Sequence, residues 1–158
     1  MNGRIEAIFI AAHAREEQRS VEQVVLVAGA GIVGDRYYDE QPHEAGRDIT
    51  LVEAEEIERF NAQHGAAAPL HATRRNVVTR GVRLNDLVGR EFLIGSVRAR
   101  GVELCEPCSI FGRNLATPAL GVPNTVRAFV HRAGLRADLL SSGEIRVGDP
   151  VREPSSAD

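Results

Sequence analysis

Hydrophobic positions along the chain fall in short runs rather than long stripes. Arg4 to Ala12 alternates in part and predicts a first strand. Val21 to Ala28 predicts a second, with a solvated loop around Arg15-Glu-Glu-Gln-Arg19 between them. Asp48 to Val52 reads as a short strand leading into a helix over Glu53 to His64. There Ala54, Ile57 and Phe60 recur at helical spacing, glutamates fill the first turn and Gly65 ends it. Thr73 to Gly81 predicts a strand flanked by arginines, and Val82 to Gly89 a turn or single helical turn. Glu91 to Ile94 and Ser96 to Leu104 predict two more strands. Pro118 to Pro123 reads as loop, Thr125 to His131 as a modest amphipathic helix that Gly134 interrupts, and Glu144 to Val151 as a closing strand. About seven or eight short strands with only two helices argue against βαβ alternation and for a mainly β, barrel-like domain with peripheral helices. Residues 1–152 make up that single domain, and 153–158 read as a flexible tail.

Gly29-Ala-Gly31-Ile-Val-Gly34 matches a dinucleotide-binding glycine pattern directly after a strand. That site needs its third glycine in a helix long enough to cross the sheet. Here Asp35 to Gly46 is dense in polar residues, proline and glycine, with no apolar stripe, so a turn between strands is expected instead.

Composition narrows the function. A net charge of −3 gives no basic field for nucleic acid or anionic lipid. No apolar run approaches the ~18 residues of a membrane span. The opening Met1-Asn-Gly-Arg-Ile-Glu lacks the apolar core of a signal peptide. Two cysteines are too few for a disulfide scaffold, which points to a reducing cytoplasm. All 19 basic residues are arginine. The absence of lysine excludes covalent pyridoxal phosphate and a P-loop, and leaves guanidinium forks as the fixed cations.

Both cysteines stand in Cys105-Glu-Pro-Cys108, after the apolar run Val97 to Leu104 and before what reads as a polar turn with Phe111, Gly112 and Arg113. A thiol at a strand end beside a stiffening proline suits a nucleophile or a metal-binding sulfur; two small buried apolar residues are the plainer alternative. Cys105 and Cys108 with His131 suggest zinc only weakly, since a structural site needs four well-spaced ligands, and His13, His43, His64 and His71 are scattered. A thioredoxin-like pair would need its cysteines to open a helix in a βαβ context.

Four clusters occur in order: Gly34-Asp-Arg36, Gly46-Arg47-Asp48, Arg74-Arg-Asn-Val-Val-Thr-Arg-Gly81 and Cys105-Glu-Pro-Cys108. With Leu84, Leu87-Val-Gly89, Phe92 and Gly95 between the last two, and Gly148-Asp-Pro-Val151 at the end, they resemble the MOSC family over nearly the whole chain. These domains are related to the C-terminal part of molybdenum-cofactor sulfurases. The resemblance implies a closed β-barrel, pyruvate-kinase-barrel-like, with helices packed outside. It implies a protein that binds molybdenum cofactor (molybdopterin) or carries sulfur for a metal centre, with a cysteine desulfurase or a molybdoenzyme as partner. The alternative it offers is a small molybdenum-dependent reductase of N-hydroxylated compounds. The family's principal cysteine, which meets molybdenum or carries the sulfur, matches Cys108. Its cofactor contacts match Arg47, Asp48, Arg74, Asn76 and Glu106, the last standing where a small polar residue would suit an anion better. Arginine forks and amides suit a phosphate and a dithiolene, and a soft metal favours thiolate.

Overall fold

The computed structural model describes residues 2–158. The chain begins with β1 (Asn2–Ile10), β2 (Arg19–Val21), β3 (Gln23–Val27) and β4 (Gly31–Ile32). Next come β5 (Ile49–Glu53), the helix α1 (Ala54–His64), β6 (Val77–Arg80), β7 (Glu91–Ile94) and β8 (Val97–Leu104). Two short helices follow, α2 (Ser109–Leu115) and α3 (Val122–Ala128), then β9 (Leu135–Leu139), β10 (Gly143–Arg146) and β11 (Pro150–Arg152).

The main sheet runs β11-β7-β8-β9-β5-β6-β1, and β11 pairs back onto β1, so seven strands close into a barrel. Closure leaves no unpaired edge on those strands. β5 and β6 are parallel, joined across α1, while the other neighbours within the barrel are antiparallel. β2 extends the sheet from the far end of β1, and β10-β3-β4 forms a small second sheet. Inward positions fill the barrel with branched and aromatic side chains, among them Ile5, Ile8, Leu51, Val77, Phe92, Val97 and Leu135, each at most 1% exposed. At roughly 1.5–3 kcal/mol per buried large apolar side chain, this layer is the main source of stability.

The glycine-rich run is a turn between strands. β3 and β4 form a tight hairpin, and no helix spans Asp35 to Gly46. The expected closing strand is two, because Val147–Asp149 turns the chain so that β10 joins β3 and β11 closes the barrel. β9 had no counterpart in the sequence reading. Its Leu135-x-Ala137-x-Leu139 alternation is short and follows Gly134, which there looked like a helix breaker. Gly134 instead holds a φ of 116° as the chain enters β9. The expected strand over Thr73 to Gly81 is shorter, since Leu70–Thr73 forms one 3-10 turn that ends at Arg74 in a left-handed conformation. Glu153 to Asp158 adds no strand or helix, and Asp158 folds back onto Arg152.

A second, aromatic core sits outside the barrel. α1 buries Ile57 and Phe60, and Phe60 meets Phe129 at 5.0 Å between ring centroids. Phe129 in turn meets Phe111 of α2 edge-on at 4.9 Å. The Phe111-Gly112-Arg113 segment is therefore helical, not a turn. Gly112 is what makes the packing feasible, since a Cβ there would lie 2.6 Å from Val126 Cγ2 of α3. This cluster anchors the helix that directly follows Cys108.

Candidate functional site

At the mouth of the barrel, between the cysteine loop and the long β4–β5 connection, lies an open cleft of about 400 Å³. Its wall carries six arginines (Arg15, Arg36, Arg47, Arg74, Arg75 and Arg136), the single carboxylate Glu44, and both cysteines. Arg15, Arg74 and Arg75 have no carboxylate within ion-pair distance among the described residues; Arg47 and Arg136 reach theirs only at 3.6 Å and 3.7 Å. The cleft is thus strongly cationic in a chain whose net charge is negative.

Arg75 is the most constrained of these side chains. Its Nε donates to the Ala133 carbonyl at 2.9 Å and one terminal nitrogen to the Cys105 carbonyl at 3.4 Å. Its guanidinium stacks 5.0 Å over the Phe111 ring. Burial lowers its pKa, opposed by negative charge on Cys105 and Cys108. A desolvated cation held by carbonyls and an aromatic ring still lacks an anion. Arg74 turns into the cleft from its left-handed position, with a pKa lowered first by burial and then by the charge of Arg36. Its carbonyl accepts from Gln18 and Arg36, which fixes that turn. Arg36 is held by buried Asp35 at 3.1 Å and lies 4.6 Å over the Tyr37 ring, whose own side chain lines the cleft.

The two thiols differ. Cys105 is 7% exposed, and its N–H donates to the Gly134 carbonyl at 2.8 Å. Cys108 is exposed at the rim, as the residue preceding α2. A thioredoxin-like pair needs a helix after its second cysteine in a βαβ context; the helix α2 exists, but it lies in the connection between the antiparallel strands β8 and β9. Iodoacetamide is expected to label Cys108 well before Cys105, since access limits a buried thiol. Equal rates by peptide mass spectrometry would contradict this placement.

Of the residues marked from sequence, Arg47, Arg74 and Cys108 line the cleft together. Asp48, Asn76 and Glu106 do not line it. Asn76 is 2% exposed: its Nδ2 donates to the Phe9 carbonyl, and its Oδ1 accepts from Thr50 Oγ1. It locks β6 to β1 and β5. Glu106 turns away to accept from the His131 N–H at 2.8 Å and to pair with the His131 ring at 3.1 Å. Its charge is thereby spent on tying the cysteine loop to the segment after α3. Arg75, Arg36, Arg15 and Arg136 were missed. Arg74-Arg75 was visible as a pair, but only the left-handed turn at Arg74 brings both side chains into one cleft.

Asp48 is a latch. Its Oδ2 accepts from the Leu139 N–H at 2.9 Å, and its Oδ1 lies 2.5 Å from His43 Nε2. His43 Nδ1 lies 3.0 Å from the Gln41 carbonyl. With an acceptor facing each ring nitrogen, the imidazolium is the form that satisfies both. The bond to Asp48 raises the His43 pKa above 6.5. Stability from a raised pKa is complete below the unfolded value and is lost as pH climbs through the folded one. The urea midpoint is therefore expected to fall as pH rises above about 6.5, with a shallower fall in His43→Gln. Identical slopes for the two proteins would remove the latch. The segment it pins carries Glu44, Gly46 and Arg47 to the cleft.

Among the described residues, no helix is long and apolar enough to cross a membrane. No curated protein matches the chain significantly. Among solved structures, it superposes on the YUAD protein from Bacillus subtilis with a TM-score of 0.82 at 18% identity, covering 96% of this chain and 94% of that one. YiiM from Geobacillus stearothermophilus gives 0.74 at 15%, covering 97% and 75%. YiiM from Escherichia coli gives 0.69 at 13%, covering 96% and 70%. At these identities the likeness establishes the fold. The MOSC domain family model matches residues 39–152, and the chain belongs to the MOSC family.

Proposed function

We propose that this protein binds the molybdenum cofactor in the arginine-lined cleft, with Cys108 as the thiolate that meets molybdenum or carries sulfur bound for it. The observation that carries this reading is Arg75: a part-buried guanidinium with no carboxylate partner among the described residues, set in one cleft with two free thiols. The residues suit the group. A phosphorylated pterin dithiolene brings several negative charges and one soft metal. The cleft offers six guanidiniums against one carboxylate, and a volume of about 400 Å³. That volume falls within the ordinary range for a small-molecule site. Arg74 and Arg15, which have no carboxylate partner among the described residues, are the freest to reach a phosphate as bidentate forks, while Arg47 would do so by leaving Asp39 and Arg75 sets the charge at the thiol end. When bound, the cofactor supplies a redox-active metal; the chain supplies charge, a thiolate and a Tyr37 face for a flat ring.

Because the chain contains no lysine, sulfur carried on Cys108 would come from a separate cysteine desulfurase and pass to a molybdoenzyme. Two free thiols in such a cleft suit the reducing cytoplasm. Arg74→Ala is expected to weaken binding of the phosphorylated cofactor by about 1.5–3 kcal/mol, the range for hydrogen bonds to a charged group. Arg127→Ala, on an exposed face of α3, is expected to leave it unchanged. Equal losses in the two variants by equilibrium titration would reject the site.

A further inference from the structure

The cofactor reading uses Cys108 and leaves Cys105 without a role. We propose that Cys105 is a resolving thiol, so that the pair converts a sulfane sulfur on Cys108 into free sulfide. This rests on the sulfur-handling part of the function proposed above.

The two sulfurs occupy complementary places in one cleft. Cys108 is exposed at the rim, where a bulky sulfur donor has access. Cys105 lies in the cleft wall at 7% exposure, which shuts out such a donor but not a neighbour three positions along the chain. Its backbone is held in place by the Gly134 carbonyl on its N–H and by Arg75 on its own carbonyl. The Arg75 guanidinium lines the same wall as both thiols, with one terminal nitrogen 3.4 Å from the Cys105 carbonyl. Holding an attacking thiolate beside its target replaces a bimolecular step by an intramolecular one.

The chemistry balances in three steps. The Cys108 thiolate attacks the outer sulfur of a donor persulfide, R–S–SH, giving Cys108–S–SH and releasing R–S⁻. The Cys105 thiolate then attacks the Cys108 sulfur that bears the –SH group. A Cys105–Cys108 disulfide forms, the S–SH bond breaks, and HS⁻ leaves with its electron pair. The sulfane sulfur is thereby reduced by two electrons, and the two thiols are oxidised by two. A dithiol reductant restores both thiols by exchange. The disulfide requires the two Cα atoms to come within about 7 Å, which a two-residue spacer permits.

The test uses the full chain with glutathione persulfide as donor and no added reductant. Sulfide release is followed with time, and the cysteine peptide is examined by intact mass after rapid acid quench. Wild type is expected to release one sulfide equivalent and end as an internal disulfide. Cys105→Ser, with Cys105→Ala as a second variant against misfolding, is expected to retain a one-sulfur mass gain on Cys108 and to release sulfide about tenfold more slowly or worse. Cys108→Ser is expected to do neither. A persulfide that persists in wild type as it does in Cys105→Ser overturns the resolving role and leaves the sulfur-handling reading intact. No sulfur on Cys108 in any protein overturns both. Sulfide release with a Cys105–Cys108 disulfide, in a chain that retains no pterin when isolated, upholds this inference and removes the cofactor reading alone.

Discussion

Arg75→Met is expected to fold normally and yet bind the anionic cofactor about 10- to 150-fold more weakly. The two effects separate because Arg75 contributes differently to each. In the folded protein its charge is desolvated and rests on two carbonyls and the Phe111 ring. Replacing an imperfectly compensated buried charge by an apolar chain of similar length is often neutral or stabilising. Loss of the two donors leaves the Ala133 and Cys105 carbonyls short of a partner, at a cost of about 1–3 kcal/mol. The two terms nearly offset, so the change in stability should stay within about 1 kcal/mol. Binding has no such compensation: a charge-assisted contact worth about 1.5–3 kcal/mol disappears from the cleft wall. Chemical denaturation together with cofactor titration checks both halves. A variant that unfolds but, where folded, binds normally would make Arg75 a structural residue only.

Gly134→Ala should be among the most damaging single methyl groups in the molecule. A Cβ at that position would stand 2.1 Å from the Leu51 carbonyl oxygen, and the residue holds a φ of 116°. The obstruction is the backbone of β5, a central barrel strand, so it cannot be relieved by a rotamer change. Overpacking against backbone and the left-sided φ together should cost at least about 3 kcal/mol, a large part of the stability of a domain this size. The Gly134 carbonyl also holds the Cys105 N–H, so residual folded protein should show faster alkylation of Cys105. Gly65→Ala serves as the comparison, because a Cβ there meets nothing within 4 Å although φ is 60°. Equal losses at the two glycines would show that strain in φ, rather than the approach to Leu51, sets the cost.

The same glycine marks the boundary of what the amino-acid pattern reveals. Strands with clear apolar runs, such as β1, β5 and β8, lie within a few residues of their expected places, and α1 starts one residue later than the pattern suggests. β9 does not stand out, because Ala137 is its central inward residue and Arg136 and Asp138 flank it. Its place in the barrel comes from pairing with β5 and β8, strands distant in sequence. α2 was hidden by Gly112, which looks like a breaker and is instead the contact point for α3. At the site, the arginine clusters and the cysteine pair were visible as residue types. Which of them face the cleft was not. Asp48, Asn76 and Glu106 are polar residues in suggestive company, but each is occupied by a partner brought near only by folding: Leu139, Phe9 and His131 respectively. Arg75 gains its role from burial between Ala133, Cys105 and Phe111, which no local spacing encodes.

Metal and pterin content of protein isolated from a cofactor-competent host tests the central claim most directly. Wild type should carry molybdenum and molybdopterin in equal amounts, at a substantial fraction of one per chain. Cys108→Ser should lose metal more than pterin, because it removes the thiolate and leaves the arginine cleft intact, whereas a double Arg74→Ala, Arg75→Met variant should lose both. Wild-type protein with neither metal nor pterin, isolated from a host whose own molybdoenzymes are fully loaded, would contradict the account.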